Sequence, residues 1–327
     1  MIPQSAAWGD YFGFMLPLLK YSHIKTIIPS EGYVGRFAPS PSGHLHFGSL
    51  VTALGSFLQA KSQGGQWLLR IEDIDPPREV VGASDSIMRC LEAHHLFWDG
   101  EVVYQSNRSD LYNEKIQYLT EQGLTFHCRC SRAQLTSLKL GQVCVCAKQG
   151  LSHENNAIRF KHHNIQQQFY DELLGPVDFH KLEIHSQFTI KRKDALFAYQ
   201  LAVVVDDIQQ GITEVARGAD LLNATVLQLA LYQAFDSPAP KFLHFPVVVS
   251  ESGKKLSKQN HAYKINIQDA RTNLINALEF LGLSLINELK QGSAQNILNW
   301  AIGEWDLNKI PAKTECIDNR IGQADSI

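Results

Sequence analysis

Residues 36–49 read Arg36-Phe37-Ala38-Pro39-Ser40-Pro41-Ser42-Gly43-His44-Leu45-His46-Phe47-Gly48-Ser49. Tyr33 to Phe37 reads as a strand and Ala38 to Gly43 as a Pro/Ser/Gly loop. Gly48 to Gln63 reads as a helix, with Leu50, Ala53, Leu54, Phe57 and Leu58 at helical spacing. A strand that turns through two histidines into a helix brings imidazoles and backbone N–H groups to a helix N-terminus, where an anion such as phosphate is favoured. Gly48 lets a flat ligand approach the backbone. Neither GxxxxGK(S/T) nor GxGxxG occurs, so the P-loop and the dinucleotide fingerprint do not explain the stretch. By itself it reads equally well as a proline-rich connector with two surface histidines.

Outward from this stretch, strands and helices alternate. Gln66 to Ile71 is a strand, Ser84 to His95 and Arg108 to Gln122 are helices, and Thr125 to Cys128 is a third strand. This argues an α/β fold with a parallel sheet and crossover helices. The alternation breaks between Cys128 and about Lys193, which reads as an insertion containing a short strand at Ala157 to Lys161. It resumes with the near-continuous apolar run Ala198 to Val205, predicted to be a buried strand. Ile212 to Ala216 and Phe242 to Val249 are predicted strands, and Asp220 to Phe235 a helix with a wide apolar face. Helices are expected over Ile267 to Leu281 and Ser293 to Ile302. The expected division is an extension (1–31), a first core half (32–127), the insertion (128–193), a second core half (194–264) and a short helical C-terminal region (265–327).

The chain has 327 residues, 44% of them hydrophobic and 19% charged, enough to bury a real core and incompatible with disorder. The formal charge of −3 gives no global basic field of the kind that announces a nucleic-acid binder. No stretch reaches the ~18–20 apolar residues of a membrane span. The nearest, Tyr11 to Leu19, is interrupted by Pro17 and lacks the flanks of a signal peptide, so a soluble, cytoplasmic protein is expected.

Four of the six cysteines crowd into Cys128-x-Cys130 and, thirteen residues on, Cys144-x-Cys146. In a chain of this class such clustering favours a metal over a disulfide framework. Four thiolates at paired spacing suit a closed, structural Zn²⁺ site, with His127 as an alternative ligand. Gly253-Lys254-Lys255-Leu256-Ser257-Lys258-Gln259-Asn260 follows the strand ending at Val249, at a carboxyl edge where open α/β sheets bind ligands. Flexible lysines there can follow moving phosphate charge. Alone, the segment reads as a solvated basic loop.

Together the two motifs resemble the class I aminoacyl-tRNA synthetases: His46-Phe47-Gly48-Ser49 looks like their HIGH motif and Lys255-Leu256-Ser257-Lys258-Gln259 like their KMSKS motif. Arg70-Ile71-Glu72-Asp73-Ile74-Asp75-Pro76-Pro77-Arg78, the segment from Tyr199 to Asp207 and Arg217-Gly218-Ala219-Asp220 bring the match to the glutamyl-tRNA synthetase group, over about Tyr33 to Lys264. The resemblance implies a Rossmann-type core that joins L-glutamate and ATP, carried with Mg²⁺, into glutamyl-adenylate and then passes glutamate to RNA. It implies catalytic roles for His46, Lys255 and Lys258, and ATP binding by His44, His46, Gly48, Ser49, Lys255, Ser257 and Lys258. Arg36 and Arg217 would clamp carboxylates, Glu72 the ammonium, and Ser40 and Tyr199 would complete the glutamate pocket. Val203 stands where full-length glutamyl enzymes usually carry asparagine, which would alter how the α-carboxylate is held.

The resemblance also bears on the cysteines. Short relatives usually follow their first Cys-x-Cys with a tyrosine and a cysteine four apart. Leu140 and Gln142 stand four before Cys144 and Cys146, so the second Cys-x-Cys pair is expected to replace the tyrosine. Lys191-Arg192-Lys193 closes the insertion and could meet phosphates or form a solvated turn.

Only 69 residues follow Lys258. That is too few for the helical anticodon reader of a complete glutamyl-tRNA synthetase, and a core without that reader, with the motif from Val249 to Ala262, resembles the short paralogues of the group, the glutamyl-queuosine tRNA(Asp) synthetases. This resemblance implies activation of glutamate without tRNA and its attachment to the queuosine base in the anticodon of tRNA(Asp). The expected partners are ATP, L-glutamate and tRNA(Asp) carrying queuosine, with no membrane and a monomeric state. A truncated synthetase charging a tRNA 3′ end and a nonenzymatic tRNA-binding paralogue are the alternatives.

Overall fold

A computed structural model of the chain describes residues 32–138, 142–152, 154–162, 166, 168–179, 187–249 and 265–318. The strands are β1 (Val34–Phe37), β2 (Gln66–Ile71), β3 (Val103–Tyr104), β4 (Thr125–Cys128), β5 (Ala157–Lys161), β6 (Gln168–Asp171), β7 (Gly175–Asp178), β8 (Gln187–Lys191), β9 (Glu214–Gly218), β10 (Lys241–Phe245), β11 (Val247–Val249) and β12 (Glu315–Ile317). The α-helices are α1 (Phe47–Ser62), α2 (Ala83–Ala93), α3 (Ser109–Glu121), α4 (Arg132–Thr136), α5 (Tyr199–Gln209), α6 (Leu222–Ala234), α7 (Ala270–Phe280), α8 (Asn287–Lys290) and α9 (Ala294–Glu304).

β1, β2 and β3 form a parallel sheet in that order, with Arg36 opposite Leu68. β9 and β10 are parallel, and β9 flanks β1 on its other side, where Thr213 N donates to Val34 O at 2.9 Å. Both faces are covered. Phe37, Leu69, Ala216 and Leu243 belong to one core with α1, α2, α7 and α9, while Val34, Val215 and Phe242 belong to a second with α3, α5 and α6. Alternating side chains of the same strands feed opposite layers, which is why the strands read as apolar runs. α1 packs so closely on β10 that a Cβ at Gly55 would lie 2.8 Å from the Phe245 ring. The C-terminal helices extend this layer, and Trp305 Nε1 donates to Gln59 Oε1 at 2.8 Å.

Between β4 and α5 the chain builds two things. β4, β5 and β8 form a small antiparallel sheet. β6 and β7 instead join the edge of the core: β6 runs parallel to β10, and β7 hairpins back on β6.

Four sequence expectations change. The run Ala198 to Val205 is not a strand but lies at the start of helix α5, whose residues Leu201 to Asp207 are all buried. A helix enclosed on every side shows no polar stripe, so an apolar run cannot distinguish it from a buried strand. The third parallel strand is β3, only two residues long and without a readable period, whereas Thr125–Cys128 belongs to the antiparallel sheet. Ile212 to Ala216 begins two residues early. Phe242 to Val249 is two strands, split at Pro246; a proline has no N–H for a ladder, and β11 leaves the core to pair with β12. Among the described residues no helix is long and apolar enough to cross a membrane. The readings of residues 1–31 and of Lys255, Ser257 and Lys258 lie outside the described residues.

Candidate active site

At the carboxyl ends of the core strands, Arg36 of β1, Glu72 just past β2, Tyr199 at the start of α5 and Arg217 of β9 converge. Arg36, Glu72 and Arg217 are buried, and all three act electrostatically on Tyr199. Buried cations at a strand end are costly unless compensated, so the partners of each arginine are informative.

Arg36 is compensated. Its Nε donates to Asp207 Oδ1 at 3.0 Å and its Nη2 to Oδ2 at 3.3 Å, a side-on pair. Asp207 also accepts from Arg70 Nη2 at 2.7 Å, while Arg70 Nη1 donates to Gln210 Oε1 at 2.6 Å. Burial raises the Asp207 carboxyl, but Arg36 and Arg70 override it and hold the group below the usual carboxylate range. Its neighbour Asp206 is satisfied separately by Gln105, Arg108 and Tyr112.

Arg217 is different. Its Nε donates to His244 Nε2 at 3.0 Å, Nη1 to Gln228 Oε1 at 2.9 Å and Tyr199 Oη at 3.5 Å, and Nη2 to Thr225 Oγ1 at 2.8 Å and Leu221 O at 3.3 Å. All these acceptors are neutral, and burial pushes the guanidinium below its ordinary value. Arg70, equally buried, is pushed the other way: three carboxylates outweigh its desolvation.

Glu72 completes the set. Its Oε1 is buried without a hydrogen-bond partner; Arg70 Nη2 is 4.0 Å away, too far to donate effectively. Burial pushes its carboxyl up to about 7 against the pull of Arg70 and Arg36. The site thus holds an anion-seeking guanidinium, Arg217, and a cation-seeking carboxylate, Glu72.

Ser40 is exposed, in a loop whose Pro39 carbonyl accepts the Glu72 N–H at 3.0 Å. Val203 is buried within the α5 core. His46 caps α1: its Nδ1 accepts from Ser49 N at 3.3 Å and its Nε2 lies 3.0 Å from Ser49 Oγ. A Cβ on Gly48 would approach His46 Cε1 to 3.3 Å, so glycine there leaves room for the imidazole. His44 is exposed and bonds Ser86 of α2 instead. The three basic residues closing the inserted segment are tied to protein: Lys191 to Asn113, Arg192 to Asp75 and Asp194, Lys193 to Arg129 O.

Sequence reasoning missed Asp207 and Arg70 as the scaffold of Arg36, although charges set inside the apolar runs WLLRI and LAVVVDD were a usable signal. It also missed His244 and Asp171, whose separation in sequence hides their contact.

The Sγ atoms of Cys128, Cys130, Cys144 and Cys146 all lie within 4.8 Å of one another. Neighbouring sulfurs are 3.4–3.8 Å apart, far beyond a disulfide bond and near the edge of about 3.8 Å expected for a tetrahedron with metal–sulfur bonds of about 2.3 Å. The four thiols therefore fit a closed metal site. His127, whose side chain alternates to the other face of β4, is not part of the group. Gln187 of β8 accepts from Cys144 N at 3.2 Å and donates to Gln142 O at 3.0 Å, pinning the second pair.

The sequence model of the family described as "tRNA synthetases class I (E and Q), catalytic domain" matches residues 33–300, and the chain belongs to this family. It is an ATP-dependent ligase of the aminoacyl-tRNA synthetase type. Among its relatives are proteins named Glutamyl-Q tRNA(Asp) synthetase. That of Vibrio vulnificus (strain CMCP6) is 47% identical over 88% of this chain and 94% of its own length. That of Cronobacter sakazakii (strain ATCC BAA-894) is 49% identical over 86% and 94%. The solved glutamate-tRNA synthetase of Elizabethkingia anophelis superposes with a TM-score of 0.70 at 25% identity, covering 88% of this chain and 68% of that one.

Proposed function

We propose that the protein condenses L-glutamate with ATP to glutamyl-adenylate without needing tRNA, and transfers the glutamyl group to the queuosine base in the anticodon of tRNA(Asp). The observation that carries the amino-acid part is the open pairing in the pocket: Arg217 buried among neutral acceptors, and Glu72 Oε1 buried without a donor. Any free amino acid answers both demands, and Arg36, with N–H groups left over from Asp207, adds a place for the second carboxylate of glutamate. The names of the relatives at 47–49% identity support the acceptor.

In this reading Arg217 receives one substrate carboxylate in place of its two longest contacts, Tyr199 Oη and Leu221 O. Arg36, held by Asp207, presents its remaining N–H groups to the other carboxylate. Glu72 takes the ammonium. The α-carboxylate then attacks the α-phosphorus of ATP, and pyrophosphate leaves. His46 at the N-terminus of α1, with Lys255 and Lys258, offsets the charge that builds on the phosphate oxygens. Mg²⁺ enters with ATP. No covalent enzyme intermediate forms, so the protein's contribution is position and electrostatics. The four cysteines would hold one Zn²⁺, which would brace the small antiparallel sheet.

The test is glutamate-dependent ATP–pyrophosphate exchange in tRNA-free protein, followed by nuclease mapping of the labelled nucleotide on tRNA(Asp) with and without queuosine. Label on the queuosine nucleotide is expected. Label on the 3′ adenosine would overturn the acceptor, and absence of exchange would overturn the activity. Periodate alone does not discriminate, since it destroys both diols.

A further inference from the structure

His244 and Asp171 lie behind Arg217, outside the pocket, and both are fully buried. An arginine Nε–H can only donate. Its 3.0 Å contact to His244 Nε2 therefore requires a lone pair on that nitrogen, which puts the single ring proton on Nδ1. Nδ1 lies 2.6 Å from Asp171 Oδ2, a short donor–carboxylate distance. The other oxygen, Oδ1, accepts from Leu173 N at 3.0 Å and Leu174 N at 2.9 Å, so the carboxylate is fixed by its own turn. The ring is held as well, stacked near-parallel to Phe242 at 10°, and Phe242 also lies 5.5 Å beneath the Arg217 guanidinium. A doubly protonated His244 would place two donors face to face at Nε2. Burial and the positive neighbour Arg217 disfavour that form, although Asp171 opposes them.

We infer that Asp171 and His244 are positioning residues for Arg217: Asp171 selects the Nδ1–H tautomer of His244, and His244 Nε2 in turn orients the guanidinium that receives the substrate carboxylate. The inference rests on the reading of Arg217 given above. It assigns to β6, a strand of the segment between β4 and α5, a part in amino-acid recognition.

The test is Asp171→Asn in the full chain. Oδ1 must still accept the backbone N–H groups of Leu173, Leu174 and His244, so the asparagine amide nitrogen turns toward His244 Nδ1. Nδ1 must then accept, the ring proton moves to Nε2, and it confronts Arg217 Nε–H, with Thr225 Oγ1, 3.3 Å away and already accepting from Arg217 Nη2, as its other neighbour. The expected result is a glutamate KM in pyrophosphate exchange raised about tenfold or more, with the ATP KM within about twofold of wild type. Nitrogen-15 shifts of histidine-labelled protein should show Nδ1–H in wild type and Nε2–H in the variant. A second pair covers the case in which Asp171→Asn fails to fold. His244→Gln keeps an acceptor near the Nε2 position and should retain glutamate affinity better than His244→Leu, which removes it.

An unchanged glutamate KM in Asp171→Asn, equal KM values for the two His244 variants, or Nε2–H in wild type would each overturn the inference. Absence of glutamate-dependent exchange in wild type would instead overturn the functional reading, and the tautomer measurement would then decide the hydrogen-bond chain by itself.

Discussion

Asp207 sits between two guanidiniums, 3.0 Å from Arg36 Nε and 2.7 Å from Arg70 Nη2, with all three side chains withdrawn from solvent. One carboxylate thus pairs with two buried cations, of which Arg70 also has Asp206 and Glu72 near it. Asp207→Asn keeps the shape and removes the charge. Breaking a buried pair costs about 3–5 kcal/mol because the partner charge stays uncompensated. Denaturant unfolding should show a loss of that order, accompanied by a higher glutamate KM. A loss below about 1 kcal/mol with unchanged KM would contradict the assignment.

Glu72 gives a pH signature. Its carboxyl is pushed up by burial from 4.5 to about 7. The folded state therefore holds this proton more tightly than the unfolded state. Its contribution to stability is full below pH about 4.5 and is lost as the pH rises to about 7. Ammonium binding needs the charged form, so the glutamate KM should fall as the pH climbs toward 7 and level off above it. In Glu72→Gln, neither the stability nor the KM should carry this dependence. Parallel pH profiles for wild type and variant would count against the role.

The cysteine cluster predicts about one Zn²⁺ per chain by elemental analysis. Stripping the metal should lower Tm and expose four additional reactive thiols. Cys144→Ser should lose the metal and His127→Ala should keep it, since His127 lies outside the group of sulfurs. Retention in the serine variant, or loss in the alanine variant, would overturn the ligand set.

Phosphate chemistry is tested at Lys258 and at Gly48. Lys258→Ala should slow exchange about 100-fold or more, because it removes a charge that would stabilise the developing phosphate charge. Gly48→Ala would place a Cβ 3.3 Å from His46 Cε1 and should raise the ATP KM while sparing the glutamate KM. An unchanged exchange rate for Lys258→Ala would refute its role.

The sequence made Arg36, Glu72, Tyr199 and Arg217 legible because each stands in or beside a contiguous motif. It could not reveal that Arg36 spends two donors on Asp207 or that Arg217 leans on His244, because these contacts span 171 and 27 positions. The α/β alternation was readable from α1 and β2, whose apolar spacing follows the exposure of one layer to another. It failed at α5, where burial on all sides erases the period, and at β3, where two paired residues are too few to carry one. The break at Pro246 was visible as a residue but not as a change of sheet.

The pairing of β6 with β10 sets a rule for recombination. The strands between β4 and α5 look like an exchangeable cassette, yet one of them delivers Asp171 to a histidine 73 positions downstream. A chimaera that trades this cassette between homologues inherits half of a matched pair. Its amino-acid affinity will depend on whether donor and recipient agree at both positions, and the safer crossover leaves β6 and β7 with the strands they adjoin.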